Sequence, residues 1–509
     1  MHRKIAYILI ALQFLLAGCG AESVVNESAL DQEPAEIDIE SEVQATATAT
    51  QIPVEPLPES SARDRTGTLA MIFGNNTQRT VSLVHVDSNG GDIPFAELAP
   101  NGSASYQSQN NSLFRVYENS QLIYAFSLAQ TNRIDLDEAT ISSFALNYPE
   151  ELGRTLSSSA MCKLLNQSQR PEVYSGFPQT VFGLSSIGDT VATVLFIDFE
   201  DVPAQISPED AYALIEPGTS EFIEASSYGG MTLLLEPHFA WLRMSNISTD
   251  YNNRTFNGQR AILEEAVSLS DDLVDFSKTD QLIVITNPRS RAQELGPSYN
   301  PVSINNGIEA DGNIIVNGTT SGYDLNTWGY LWLNHELGHN LGLSDLYLYG
   351  FDWPDLLSRT VGEFSVMGSQ GHSSIEHFAW ERWVLGWLAD DQIQCMDQGE
   401  STHTLSPISQ IGGQKAVVVR LDDHRALVVE SRRQLGYNTM ASEGALVYLV
   451  DVAINSGEGP LVVFPGSSGT PVRTIPLGQN ESYTFENVSV TVLDSNQDGD
   501  TLQITIAEE

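Results

Sequence analysis

The sequence predicts a multidomain protein, a central α+β domain with a β-sandwich on either side. Three observations lead there. The chain has 509 residues, more than one core usually organises at roughly 150 residues per domain. Its middle alternates near-continuous apolar runs with a stretch of helical periodicity, the pattern of buried strands packed on helices. Before and after that middle, short β-branched and aromatic runs are separated by Asn, Gly and Pro clusters, as in antiparallel β units.

The N-terminus precedes all three. Arg3 and Lys4 are followed by an apolar run of 13 residues, Ile5–Ala17, a signal-peptide length that is too short for a helix to span a bilayer. The run ends Leu16-Ala17-Gly18-Cys19, which resembles the bacterial lipobox. That resemblance implies a signal peptide at residues 1–18 and Cys19 as the acylated first residue of the mature chain; an ordinary signal peptide with an incidental Cys is the alternative. Buried acyl CH₂ groups contribute ~0.8 kcal/mol each, so several chains hold a protein on a membrane. The expected location is the bacterial cell envelope, lipid-anchored at the outer membrane or cell surface, with release to the medium also open. Within residues 19–65, positions 20–62 carry ten acids and no Lys or Arg. With Pro53, Pro56 and Pro58 they predict a self-repelling, coreless tether.

Residues 66–140 form the first β unit, with strands expected at Leu69–Phe73, Thr80–Val86, Ser112–Tyr117 and Leu122–Phe126. The order Ile72-Phe73-x-Asn75, then Val84-His85-Val86-Asp87-x-x-Gly90, then Leu98-x-Pro100-x-Gly102 resembles the von Hippel–Lindau β domain and implies a β-sandwich. Residues 141–178 are expected to be a connector. In residues 179–395, Val191–Phe199 and Gln281–Thr286 are buried strands, Gln259–Phe276 has a helical apolar stripe, and Asn313–Val316 has an edge-strand pattern. A second helix is expected to start near Thr327, a plausible N-cap. Residues 396–509 return to β, with runs at Val417–Leu421, Ala426–Glu430, Ala445–Val450, Leu461–Phe464, Ser489–Leu493 and Leu502–Ile506.

Composition narrows the function. Against 66 Asp+Glu stand 24 Lys+Arg, a net charge of −42, which excludes nucleic-acid binding and adhesion to anionic lipid through a basic patch. An acid-rich, Lys-poor surface fits a salty or cation-rich medium, and equally fits plain solubility. Beyond Cys19, only Cys162 and Cys395 remain; an exported compartment permits their pairing but two cysteines make no framework.

The chemistry concentrates in His335-Glu336-Leu337-Gly338-His339. Residues i and i+4 lie on one face of a helix, about one turn apart. His335 and His339 can therefore offer imidazole nitrogens to one ion, and zinc accepts such ligands while leaving a position open for water. Glu336 adjoins the first ligand and can take that water's proton. Gly342 accepts φ > 0 and allows a turn that brings Asp345 back as a third ligand.

The whole run from His335 to Tyr347 resembles the zinc signature of the immune-inhibitor-A-like metallopeptidases, a metzincin-related group. Val194–Asp201, Ser226–Met231, Phe364–Gly368, His377–Trp387, Val429–Arg433 and Tyr448-x-x-Asp451 extend the likeness over roughly residues 180–509. It implies a zincin-like catalytic domain. His335, His339 and Asp345 would bind Zn²⁺, Glu336 would be general base and acid, and Met367 would form a Met-turn beneath the metal. Some metzincins place a Tyr two residues after that Met; here Ser369 stands there, so that helper is not implied. His372 and His377 are candidates for stabilising an oxyanion, or structural residues.

The implied function is a membrane-tethered exported zinc endopeptidase acting on protein or peptide, the substrate pairing with Asn313–Val316 by β-augmentation. The alternatives are a non-catalytic zincin-like scaffold displaying β modules, and a zinc hydrolase of other substrates. Asp494, Asn496, Asp498 and Asp500 alternate as in a Ca²⁺ loop, but Thr505 stands where such a loop has Glu; a polar hairpin turn is the other reading.

Overall fold

The computed structural model describes residues 68–508 apart from 110–111, 129–132, 181, 302, 352–358, 372–373, 440–441 and 465–475. Cys19, the signal segment and the tether lie outside the described residues, as does His372. The described part is multidomain, with many β-sheets and few helices.

The first β unit has two sheets. One has the order Ser103–Gln109, Thr68–Asn75, Arg133–Leu136; the other Asp92–Leu98, Val81–Val86, Leu113–Glu118, Gln121–Ser127. Met71, Phe73, Leu83, Phe114, Val116 and Phe126 form their common core. The four expected strands are present, and Asp92–Leu98, Ser103–Gln109 and Arg133–Leu136 are additional. Their exposed polar positions hide the alternation that marks a strand.

The central sheet runs Ser298–Tyr299, Gly318–Ser321, Gln281–Thr286, Gly188–Asp198, Met231–Arg243. Its inner pairings are parallel, and Ser298–Tyr299 is antiparallel to Gly318–Ser321. Gln281–Thr286 is buried at every position, as its unbroken apolar run requires. The helix Phe256–Ser270 covers one face through Ile262, Leu263, Ala266 and Val267. The motif helix, Tyr330–Asn340, lies on the other side, in the core containing Val194, Phe196 and Ile283.

Two expectations are corrected here. Asn313–Ile315 is not an edge of the central sheet; it pairs with Ile308–Ala310 in a separate two-stranded ribbon whose apolar residues pack against the Phe256–Ser270 side. The edge strand beside the motif helix is Ser298–Tyr299. The motif helix starts at Tyr330, not near Thr327, because Gly329 breaks the chain at φ 53°. Thr327 belongs to the short preceding helix Leu325–Trp328.

The C-terminal strands form a five-stranded sheet, from Ile393–Met396 through Ala416–Arg420, Arg425–Arg432 and Gly444–Asp451 to Leu461–Val463, and a four-stranded sheet, Gly399–Leu405, Gly499–Ile506, Val488–Asn496, Ser482–Phe485. The units are packed together rather than strung apart. Residues 141–178 give Ile141 and Phe144 to the first unit's interior and Cys162, Leu164 and Phe177 to the central core, which also takes in Ala416, Val418 and Tyr448. Cys162 is disulfide-bonded to Cys395. The buried Lys163 ammonium sits 2.9 Å from Asp390 and 3.6 Å from Asp87, tying the first unit's turn to the central domain.

Candidate metal centre

The motif helix is buried along Trp332–Asn340, so its polar residues need partners. Asn340 anchors its C-terminal end. The Asn340 Nδ2 donates to Tyr299 O at 3.1 Å, and Gln281 Nε2 donates to Asn340 Oδ1 at 2.9 Å. These bonds fix the helix against both the edge and centre of the sheet.

Gly338 owes its identity to packing. A Cβ there would lie 2.3 Å from Met367 Sδ, so only glycine admits the fully buried methionine beneath the helix. Gly342 owes its identity to the backbone. Its φ is +97°, Leu343 N–H donates to Gly338 O and Gly342 N–H to His339 O. That is a Schellman ending, and it turns the chain so that Asp345 returns to the helix.

His335, His339 and Asp345 each present a ligand atom, all within 4.8 Å of one another. Asp345 Oδ1 lies 3.1 Å from His335 Nε2 and 3.3 Å from His339 Nε2. The other ring nitrogens are committed: His335 Nδ1 to Val366 O and His339 Nδ1 to Leu343 O, each at 2.8 Å. A carbonyl can only accept, so each Nδ1 carries a proton, and in the neutral imidazole each Nε2 is left with a lone pair toward Asp345. Asp345 Oδ2 accepts from Tyr349 Oη at 2.5 Å, whereas Asp345 Oδ1 and Glu336 Oε2 are buried with no hydrogen-bond partner. Three acceptors facing one point repel one another unless a cation or proton joins them. The donor set fits a metal ion.

Electrostatics agree with that geometry. Burial alone would raise Asp345, but the His339 and His335 imidazoles reverse this and hold its carboxyl well below the usual range. Burial opposes charging of His339, yet Asp345 overrides it and lifts the imidazole to about 9. Proton and metal thus compete for the same nitrogen. Burial raises the Glu336 carboxyl, against the pull of both imidazoles and a hydrogen bond from the Ser298 backbone.

The cluster opens onto a cleft of about 680 Å³. Glu336 and the three candidate ligands line it together with Leu295, Trp328, Trp332, Tyr347 and Ser369. Met367 is held below by a tight turn in which Ser365 adopts φ 63°, its Oγ donating to Glu381 Oε2 at 2.8 Å. Glu381 also accepts from Phe378 N–H. His377 is a core residue: 1% exposed, against Phe222 and Trp387, and outside the cleft lining.

The candidate Ca²⁺ residues do not converge. Asp494–Asn496 and Asp500 belong to two paired strands joined by a hairpin turn, and Asp500 is turned inward, both oxygens bonded to Arg433 at 2.8 and 3.0 Å. Asn496 Oδ1 accepts from Asp498 N–H within the turn. Among the described residues, His335, His339 and Asp345 are the one group of three or more His, Cys, Asp or Glu able to hold an ion. Sequence patterns overlooked Tyr349, four residues past Asp345, and the edge strand at Ser298; no pattern in the sequence marks the former, whose ring is half exposed while its hydroxyl reaches Asp345.

The fold and cluster together define a multidomain protein with a candidate mononuclear metal centre. No protein-family model and no curated protein matches the chain. Among solved structures it is similar to metalloproteinase-II from Bacteroides fragilis, at 12% identity and a TM-score of 0.23, over 62% of this chain and 85% of that one. No residue or activity is carried across from so distant a likeness.

Proposed function

We propose that the protein is a zinc-dependent endopeptidase whose zincin-like domain is flanked by two β-sandwiches. The observation that carries this reading is the convergence of two imidazole lone pairs and an unpartnered carboxylate oxygen, with a second unpartnered carboxylate, Glu336, beside them. Two nitrogens and one oxygen suit zinc better than calcium or magnesium, which take oxygen. His335, His339 and Asp345 would hold it, and when bound it would polarise a carbonyl and acidify water.

The chain's own residues do the rest. Glu336 Oε2, with no competing donor, accepts the proton of the attacking water and returns it to the leaving amine. The Ser298 backbone amide favours the ionised form of its carboxyl, against burial. Ser298–Tyr299 is the last strand of the central sheet on the side of the motif helix, and an extended substrate lying along it would run across the cleft; this takes the role first expected of Asn313–Val316. Apolar walls from Leu295, Trp328 and Trp332 exclude water around the scissile bond.

Metal analysis and casein cleavage with and without chelator test the proposal. One zinc per chain and cleavage lost on chelation and restored by zinc are expected. A chain that binds no metal would leave a non-catalytic scaffold, and zinc without cleavage of any protein or peptide in a substrate panel would leave another hydrolase. We also propose that Cys19 is acylated and tethers the enzyme to the cell envelope, on the strength of the lipobox-like sequence alone. Mass spectrometry of the mature N-terminal peptide checks it; a free amine at any other residue sinks it.

A further inference from the structure

We propose that Ser456, on a loop of the C-terminal β unit, is a positioning residue for the metal centre. The proposal rests on the metal-binding reading above. Asp345 follows the motif helix in irregular chain, so nothing in its own segment fixes its backbone as a helix or strand would. The loop between Gly444–Asp451 and Leu461–Val463 does so instead.

Asp345 N–H donates to Ser456 Oγ at 2.9 Å in a buried setting. Gly457 N–H donates to Asp345 O at 3.0 Å, and Tyr349 N–H donates to Gly457 O at 2.8 Å. These three bonds form a short ladder between segments more than a hundred residues apart, Asp345 and Ser456 being separated by 111. Gly457 has φ +75°, and a Cβ on it would lie 2.3 Å from the Tyr349 ring. Glycine is therefore required both for the turn and for seating that ring. The Tyr349 hydroxyl then takes Asp345 Oδ2, leaving Oδ1 to face His335 and His339.

The loop is itself anchored. Asn455 Oδ1 accepts from Gln169 N–H at 2.9 Å, and Val452 O accepts from Gln167 N–H at 3.1 Å. Ser456 is buried and does not line the cleft, so it touches neither ion nor substrate and acts through Asp345. A residue that holds a ligand in this way sets its direction, and its loss typically weakens metal binding 10–100-fold.

The test compares the whole chain as wild type, Ser456→Ala, Ser456→Thr and Val490→Ala. Zinc affinity is read by competition with a chromophoric chelator, and ligand geometry from the visible absorption of the Co²⁺-loaded protein. Ser456→Ala should bind zinc about 10–100-fold more weakly with displaced Co²⁺ bands. Ser456→Thr keeps the hydroxyl and should restore both. Val490→Ala trims the C-terminal core and should lower the melting temperature while leaving zinc affinity unchanged. The proposal is overturned if Ser456→Ala matches wild type in affinity and spectrum, if Ser456→Thr is as weak as Ser456→Ala, or if Val490→Ala weakens zinc equally. A wild-type chain that takes up no zinc sinks the metal-centre reading instead, which keeps the two failures distinct.

Discussion

Asp345 and Asp500 were both candidate metal ligands in the sequence, and both are buried, at 6% and 0% exposure. They differ in what their oxygens face. Asp500 accepts a bidentate guanidinium from Arg433 and hydroxyls from Ser431 and Ser495; its charge and lone pairs are all met. Asp345 has one oxygen met by Tyr349 and the other opposed to two imidazole lone pairs. Burial of a carboxylate does not by itself mark a site. A buried acceptor whose neighbours are also acceptors does, because folding would not assemble it at no gain unless something positive joins the group.

Breaking the reactive side of this comparison should have the largest effect. Glu336→Gln keeps the shape and removes the base; kcat should fall about 10²–10⁴-fold while zinc content by atomic emission stays at the wild-type value. An unchanged kcat would remove Glu336 from the mechanism.

The satisfied side answers in stability. Asp500→Ala strands the buried Arg433 charge, and the cost should be about 3–5 kcal/mol in a denaturant titration, with zinc content per folded chain unaltered. Loss of zinc there would erase the distinction between the two aspartates.

Gly338→Ala probes the packing under the metal. Its Cβ must displace Met367 Sδ from 2.3 Å, an overpacking cost of about 1–3 kcal/mol, visible as a lower melting temperature.

The smallest effect sharpens the comparison with a third case, a buried cation whose hydrogen bonds go to carbonyls. Lys415 Nζ donates to Pro407 O and Gln410 O, and burial, aided by Arg382, lowers it to about 8. A folded pKa below the unfolded one means the unfolded chain binds more protons above pH 8, so stability rises with pH through that window. The gain should be about 1 kcal/mol between pH 8 and 9, read as the difference between wild type and Lys415→Met. A variant with the same slope would show that Lys415 does not titrate there.

The comparison also explains what could be read from sequence. His335, Glu336 and His339 were legible because one helical turn brings them together, and Asp345 because Gly342 lets the chain reverse. The long apolar strands were legible by their unbroken runs. Asp500 was misleading because its partner Arg433 is 67 residues away, and an alternating acid pattern looks alike whether it faces an ion or a guanidinium. A separation of 111 residues likewise concealed Ser456 from Asp345. The edge strand at Ser298 was missed because two residues carry no periodicity, and Asn313–Ile315 drew the assignment because it has one. Met231–Arg243, a sheet edge interrupted by Glu236, Pro237 and His238, also lacks a clean alternation.

The bond between Cys162 and Cys395 closes a covalent ring of chain around the motif helix, with a sequence separation of 233. With the proposed activity, the chain would always be in the company of its own protease, and its exposed loops would be substrates like any other. A single cut anywhere between the two cysteines opens the ring without releasing a fragment: the molecule would run as one band unreduced and as two after reduction, its ligands still on one covalent body. Under the proposed activity, the connectivity would thus keep a self-nicked molecule in one piece, independent of how often such cuts occur.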